Sequence, residues 1–190
     1  METLSNPFVL GYHGCHRETA ERVLGGGEHL RASSNDYDWL GVGVYFWEAD
    51  PLRGLEWARE RHGPHAAVIG AVIHLGHCLN LMSRHAFDAL TRAYGLLDED
   101  FRKLRKALPT NGVSGKSRKL DCAVIQRLHT LRQGHPPYDT VKGLFIEGRE
   151  PFPGSAFRHQ THVQICVRQT RVIKGYFRVF EDHLGGSNTA

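Results

Sequence analysis

Two short segments carry the residue types best suited to chemistry: Tyr12-His13-Gly14, and Gly41-Val42-Gly43-Val44-Tyr45-Phe46 one helix and one loop later. His13 offers a ring with a hydrogen-bonding nitrogen on each side. Gly14 offers backbone that a ligand can approach closely, because no Cβ intervenes. Tyr45 adds an aromatic face on a strand that two glycines lead into. Together they read as two adjacent strand ends able to hold a flat, cationic ring, for which an aromatic face supplies cation–π attraction beyond burial.

The elements that must position these residues follow from patterning. Residues 8–12 form an apolar run suited to a buried strand ending at His13, and residues 17–24 place Ala20, Val23 and Leu24 at helical spacing before Gly25-Gly26-Gly27. A polar loop precedes the glycine-flanked strand at 42–47. Asp50-Pro51 then caps and starts a helix over 51–61. The β-branched run at 66–74 predicts a central strand, extended by 78–82. Helical patterns occupy 83–108 and 120–131, and three late strands are predicted at 140–147, 162–168 and 173–179. Strands at both ends, helices in the middle and no regular alternation predict an α+β class. No Gly-x-Gly-x-x-Gly follows the first strand, which argues against a Rossmann fold.

The chain has 190 residues, 41% hydrophobic and 23% charged, which suits a single globular domain spanning 1–190 with a tail at 185–190. No run approaches the length of a membrane span. The first residues lack the basic-then-apolar run of a secretory signal. Cys15, Cys78, Cys122 and Cys166 have no paired spacing, so no disulfide framework is expected and a cytoplasmic setting fits. A formal charge of +4 and pI near 9.0 are mildly basic. Arg102, Lys103, Arg105, Lys106, Lys116, Arg118 and Lys119 cluster in one stretch, either a phosphate-attracting patch or a solvated helix end and loop. His13-Cys15-His16 and His74-His77-Cys78 lack zinc-site spacing, so no metal is expected.

In order and spacing, the His13-Gly14 pair, the Gly41-to-Phe46 segment and the late strand from His162 to Arg168 resemble ADP-ribosyltransferases of the histidine-tyrosine-glutamate class. These are the enzymes similar to diphtheria toxin and the poly(ADP-ribose) polymerases. The resemblance implies a split β-sheet core with helices packed around it, residues 83–135 forming a helical insertion, and NAD as co-substrate. It implies that His13 bonds the adenosine-side ribose, that the Gly14 backbone pairs with the nicotinamide amide, and that Tyr45 stacks on nicotinamide. Cys15, Asn35 and Gly43 fall among the cofactor-binding positions, and Trp57 falls near the family's second stacking aromatic. Asp36 and Tyr37 share the loop expected to cross the cleft.

At the position of the family's catalytic glutamate stands Gln164. Glutamine keeps a hydrogen bond to a ribose hydroxyl but has no negative charge and cannot act as a base. Glu147, at the end of the preceding predicted strand, is the candidate replacement carboxylate. Phe152, Phe157 and Arg158 occupy the family's target-recognition loop. The resemblance therefore implies a mono-ADP-ribosyltransferase acting on a protein or nucleic-acid acceptor, as in bacterial toxin-like or defence enzymes. NAD hydrolysis, or NAD binding without turnover, remain open on the same residues, as does the oligomeric state.

Overall fold

Local chemistry ends most elements where patterning expects. In the computed structural model, which describes residues 8–112, 117–180 and 184, the Asp50 carboxylate accepts from the Arg53 backbone N–H at 2.9 Å. Pro51 takes the first helical turn, where its missing N–H costs nothing. Gly25 closes the first helix with its N–H on Glu21 O, and Gly26 follows at φ +77°. Lys116 and the tail at 185–190 lie outside the described residues.

The elements run β1 (Phe8–His16), α1 (Arg17–Leu24), β2 (Val44–Glu48), α2 (Pro51–His62), β3 (Ala66–His74) and β4 (Cys78–Asn80). They continue with α3 (Arg84–Lys103), α4 (Lys119–Leu131), β5 (Thr140–Phe145), β6 (His162–Val167) and β7 (Ile173–Arg178). Several predicted boundaries move. β1 runs on to His16 instead of ending at His13, because its pairing with β3 continues that far. β4 stops at Asn80, and β5 stops at Phe145, leaving Glu147 beyond the strand. The helix expected over 83–108 stops at Lys103, and Arg105 just beyond adopts a left-handed φ of +53°. Gly43, expected inside the second strand, instead bridges Ser33 across the preceding loop.

The strands form one mixed seven-stranded sheet in the order β4-β5-β6-β2-β1-β3-β7, and only β4 and β5 are parallel. This is an α+β architecture. β1 pairs with β3 from Phe8 through His16. Its pairing with β2 is confined to Gly11 with Glu48 and Tyr12 with Trp47. From His13 onward β1 follows β3, while β2 follows β6, so the sheet opens at that seam.

Side-chain alternation sends successive residues to opposite faces. Val44 and Phe46 of β2, with Ile165 and Val167 of β6, join Ile69, Ala71 and Ile73 of β3 in a core that includes Ala20 and Val23 of α1. On the other face, Cys166 joins Val141, Phe145 and Leu40 beneath Ala93 and Leu97 of α3 and Val124 and Leu128 of α4. The helices at 83–135 are therefore built into this second core. Among the described residues no helix is long and apolar enough to cross a membrane.

Candidate functional site

Where β1 and β2 part, a cavity of about 730 Å³ opens, within the range typical of small-molecule sites. Its lining includes His13, Gly14, Asn35, Gly43, Tyr45, Trp57, Glu147 and Gln164. Residues from the two diverging strands β1 and β2, one helix, one loop and a late strand thus converge.

His13 bridges the seam. Its Nδ1 lies 2.7 Å from the Tyr45 carbonyl oxygen, and since a carbonyl only accepts, Nδ1 donates. Burial lowers the imidazole pKa below its ordinary 6.5, against an opposing effect of the Tyr45 bond. The neutral ring keeps Nε2 as an acceptor, the half of the imidazole that matches a sugar hydroxyl.

Gly14 is dictated by a helix as well as by any ligand. A Cβ on it would overlap the carbonyl oxygen of Gly54, so α2 rides directly on β1. This contact brings Arg53 and Trp57 of α2 to the cavity. Gly41 and Gly43 have separate reasons. Gly41 sits at φ +81°, and a Cβ on Gly43 would fall 2.6 Å from the Val167 carbonyl oxygen and against the Cys166 sulfur.

Tyr45 is anchored through its hydroxyl, which donates to Gly41 O at 2.7 Å and accepts from Leu40 N at 3.0 Å. Burial pushes its pKa far above the ordinary 10.0, so the phenol stays protonated. The loop before it is held by Asp38, whose carboxylate accepts from Ser33 Oγ and, at 3.1 Å, from Asn35 N. Asn35 Nδ2 donates to Ser33 Oγ at 2.8 Å. Tyr37 lines the cavity, and Asp36 is drawn instead to Lys119 at 2.9 Å.

Trp57 reaches the cavity, but the Arg61 guanidinium lies 4.4 Å over its ring. Trp47 packs 5.8 Å from it, centroid to centroid. Gln164 faces Trp47 across the β2–β6 pair, and its Nε2 lies 2.9 Å from His162 Nε2. Glu147 lines the cavity in an ion pair with Arg53 at 3.1 Å, so a base role would require that pair to open.

Cys15 does not join this group. Its side chain is 5% exposed in the core with Ala20 and Val23, on the face opposite α2. Cys15 shares the His13 face of β1 but lies two residues further along, where β1 pairs with β3 and α1 packs over it. Burial pushes its thiol up to about 11, which also removes it as a nucleophile. Phe152 and Phe157 are exposed outside the cavity lining, and Arg158 pairs with Glu150 at 3.2 Å. The basic stretch disperses. Arg102 pairs with Asp98, while Arg118 stacks 4.4 Å over Trp39 at the cavity wall. Among the described residues no cluster of three histidine, cysteine or acidic side chains has metal-binding geometry.

Arg31, Trp39, Trp47, Arg53, Arg61 and Gln160 line the cavity without having been singled out from the sequence. The signal was present for two of them. Arg53, Trp57 and Arg61 recur at four-residue spacing on one helix, which places all three on one face.

No protein-family model matches the chain. It is 25% identical over 192 residues to an uncharacterized protein of Methanocaldococcus jannaschii, covering 86% of this chain and 83% of that one. The similarity is spread over nearly the whole of both chains and brings no activity with it.

Proposed function

We propose that the chain is an NAD-dependent mono-ADP-ribosyltransferase with an ADP-ribosyltransferase-like fold, releasing nicotinamide and joining ADP-ribose to a protein or nucleic-acid acceptor. The observation that carries this reading is the convergence of His13, Gly14, Tyr45 and Gln164 on one cavity at the seam of the sheet. They come from three separate segments of the chain, and each offers a group suited to one part of NAD.

In this reaction the bond between the ribose anomeric carbon and the nicotinamide nitrogen breaks, and its electron pair leaves with nicotinamide. The pyridinium becomes neutral as positive charge develops on the ribose. His13 Nε2 accepts from the adenosine-side ribose. The Tyr45 ring, immobilised through Gly41 and Leu40, supports the nicotinamide. Gln164 accepts from the hydroxyl of the reacting ribose. The acceptor then bonds to the anomeric carbon and sheds its proton to solvent, or to Glu147 once Arg53 releases it.

A second reading, NAD binding with little turnover, is favoured by one observation. The only carboxylate assigned to replace the missing glutamate is already held by Arg53. NAD carrying label in its adenosine half separates the outcomes. Nicotinamide release with label retained on an acceptor supports transfer, and free ADP-ribose alone indicates hydrolysis. Thermal stabilisation by NAD without nicotinamide release indicates binding alone. Absence of all three sinks the NAD reading.

A further inference from the structure

We propose that His162 is the positioning residue for Gln164: it fixes which end of the amide faces the cavity, and so restricts that position to a ligand group that donates a hydrogen bond. The ligand half of this inference rests on the NAD reading above. The positioning half rests on geometry alone.

An amide has two unlike ends, an oxygen that accepts and a nitrogen that donates. In a cavity wall the exposed end decides what the residue recognises. The nitrogen of Gln164 lies 2.9 Å from His162 Nε2, and two nitrogens can share a hydrogen bond only if one is bare. The other side of the imidazole settles which. His162 Nδ1 is 2.6 Å from the Gln160 carbonyl oxygen, which only accepts, so Nδ1 carries the proton. In the neutral ring Nε2 is then bare, the Gln164 amide donates to it, and Gln164 Oε1 is the end left to the cavity. Among the described residues Oε1 takes no hydrogen bond.

The ring is well held for this task. His162 is 5% exposed, with Phe145 at 5.8 Å and Trp47 at 6.4 Å between ring centroids. Its anchor is itself anchored. Gln160 N donates to Glu147 O at 3.0 Å, a closure that relies on Gly148 at φ +85°, where a Cβ would fall 2.9 Å from Gln160 N. Gln160 Nε2 donates to Glu56 at 3.2 Å. The charged groups acting on the ring are Glu147, Arg53 and Asp50. Burial, the largest effect, lowers the His162 pKa with help from Arg53, against the Gln160 bond, Glu147 and Asp50. The neutral form therefore holds at pH 7.

Oε1 is the acceptor half of what a carboxylate would present, without the charge. A ribose hydroxyl satisfies it, whereas a ligand carbonyl or phosphate oxygen does not. Protonating His162 would put a hydrogen on Nε2, drive the amide to rotate, and turn its NH2 toward the cavity. The acceptor would then be lost.

Two measurements on the full chain test this. The first is the 15N NMR spectrum of the histidine rings and glutamine amides at pH 7, with His162 and Gln164 assigned by substitution. A neutral ring protonated on Nδ1, with the Gln164 amide protons coupled to Nε2, is expected. An Nε2-protonated ring or an imidazolium overturns the proposal, with or without NAD. The second is NAD affinity by calorimetry across pH 4.5 to 8, a range chosen around the ordinary histidine value near 6.5. In the wild type, affinity falls about tenfold as His162 protonates, the equivalent of one lost hydrogen bond. His13 lines the same cavity and contributes its own fall, so the readout is the difference from the wild type. His162→Phe keeps a ring in the aromatic site, removes the His162 share of the fall and weakens binding by a similar factor at pH 8. Gln164→Ala removes the same share. A fall in Gln164→Ala as large as in the wild type overturns the link between the two residues. If NAD binds at no pH, the functional reading falls while the NMR result still decides the positioning role.

Discussion

Gly14 and Gly54 touch backbone to backbone: the strand and the helix approach so closely that a Cβ on Gly14 would occupy the Gly54 carbonyl oxygen. The spacing of α2 from β1 is set here, and with it the position of Arg53, Trp57 and Arg61 on the cavity wall. Gly14→Ala is therefore expected to lower unfolding stability by about 1–3 kcal/mol, the usual range for overpacking a tight contact. Urea denaturation reads the stability. NAD titration should show weakened binding as well, because the helix must move outward. An unchanged denaturation midpoint would contradict the contact.

The Tyr45 hydroxyl serves two backbone groups at once, so its loss leaves both Leu40 N and Gly41 O short of a partner. Tyr45→Phe should cost about 1–3 kcal/mol of stability while keeping the aromatic face. Tyr45→Ala should cost more and abolish nicotinamide release. Thermal unfolding together with a nicotinamide assay separates the effects. Equal loss of NAD affinity in both variants would show that the ring face contributes nothing.

Glu147 and Arg53 form a partly exposed pair, with side chains 31% and 14% exposed. Such pairs are worth little net stability, so Glu147→Gln should shift unfolding by no more than about 1 kcal/mol. If the carboxylate stays with Arg53 during reaction, nicotinamide release should change less than about threefold, well below the 10²–10⁴ of a general base. A hundredfold fall would instead make Glu147 the base and show that the pair opens in the complex.

Acid should unfold the protein through its buried histidines. Burial lowers His13 and His162 below 6.5 and carries His129, whose two ring nitrogens have no partner among the described residues, to about 3. Groups with depressed folded pKa values bind protons more readily in the unfolded chain. Their stability is full above 6.5 and is lost as pH falls from 6.5 toward 3. His129→Leu should flatten that decline, measured as unfolding free energy against pH. A decline as steep as in the wild type would assign the acid sensitivity elsewhere.

How much of this was legible before folding depended on whether a residue's constraint was local. Asp50-Pro51, Gly25 and the β-branched run at 66–74 specify caps and a strand through their own backbone and side chains, and these elements formed where expected. The boundary at Gly43 was misplaced because a cross-loop bridge to Ser33 captured it, and no local pattern announces such a bridge. Cys15 was grouped with the cavity by its nearness to His13 in the chain. Alternation puts both residues on one face of β1, and what withdraws the thiol is its packing into the core with Ala20 and Val23 of α1, contacts that alternation alone does not give.

The amino-acid order alone determined the α+β class, the strand carrying His13, the glycine-flanked strand carrying Tyr45, and the absence of a carboxylate at Gln164. Each of these is written in side-chain type and short-range spacing. Only the tertiary structure decided that Gly14 is needed by Gly54 and that Glu147 is held by Arg53. Those facts depend on distances between segments up to 94 residues apart, set by how β1 and β2 diverge within one sheet. Local propensity does not reach that far, and close packing does.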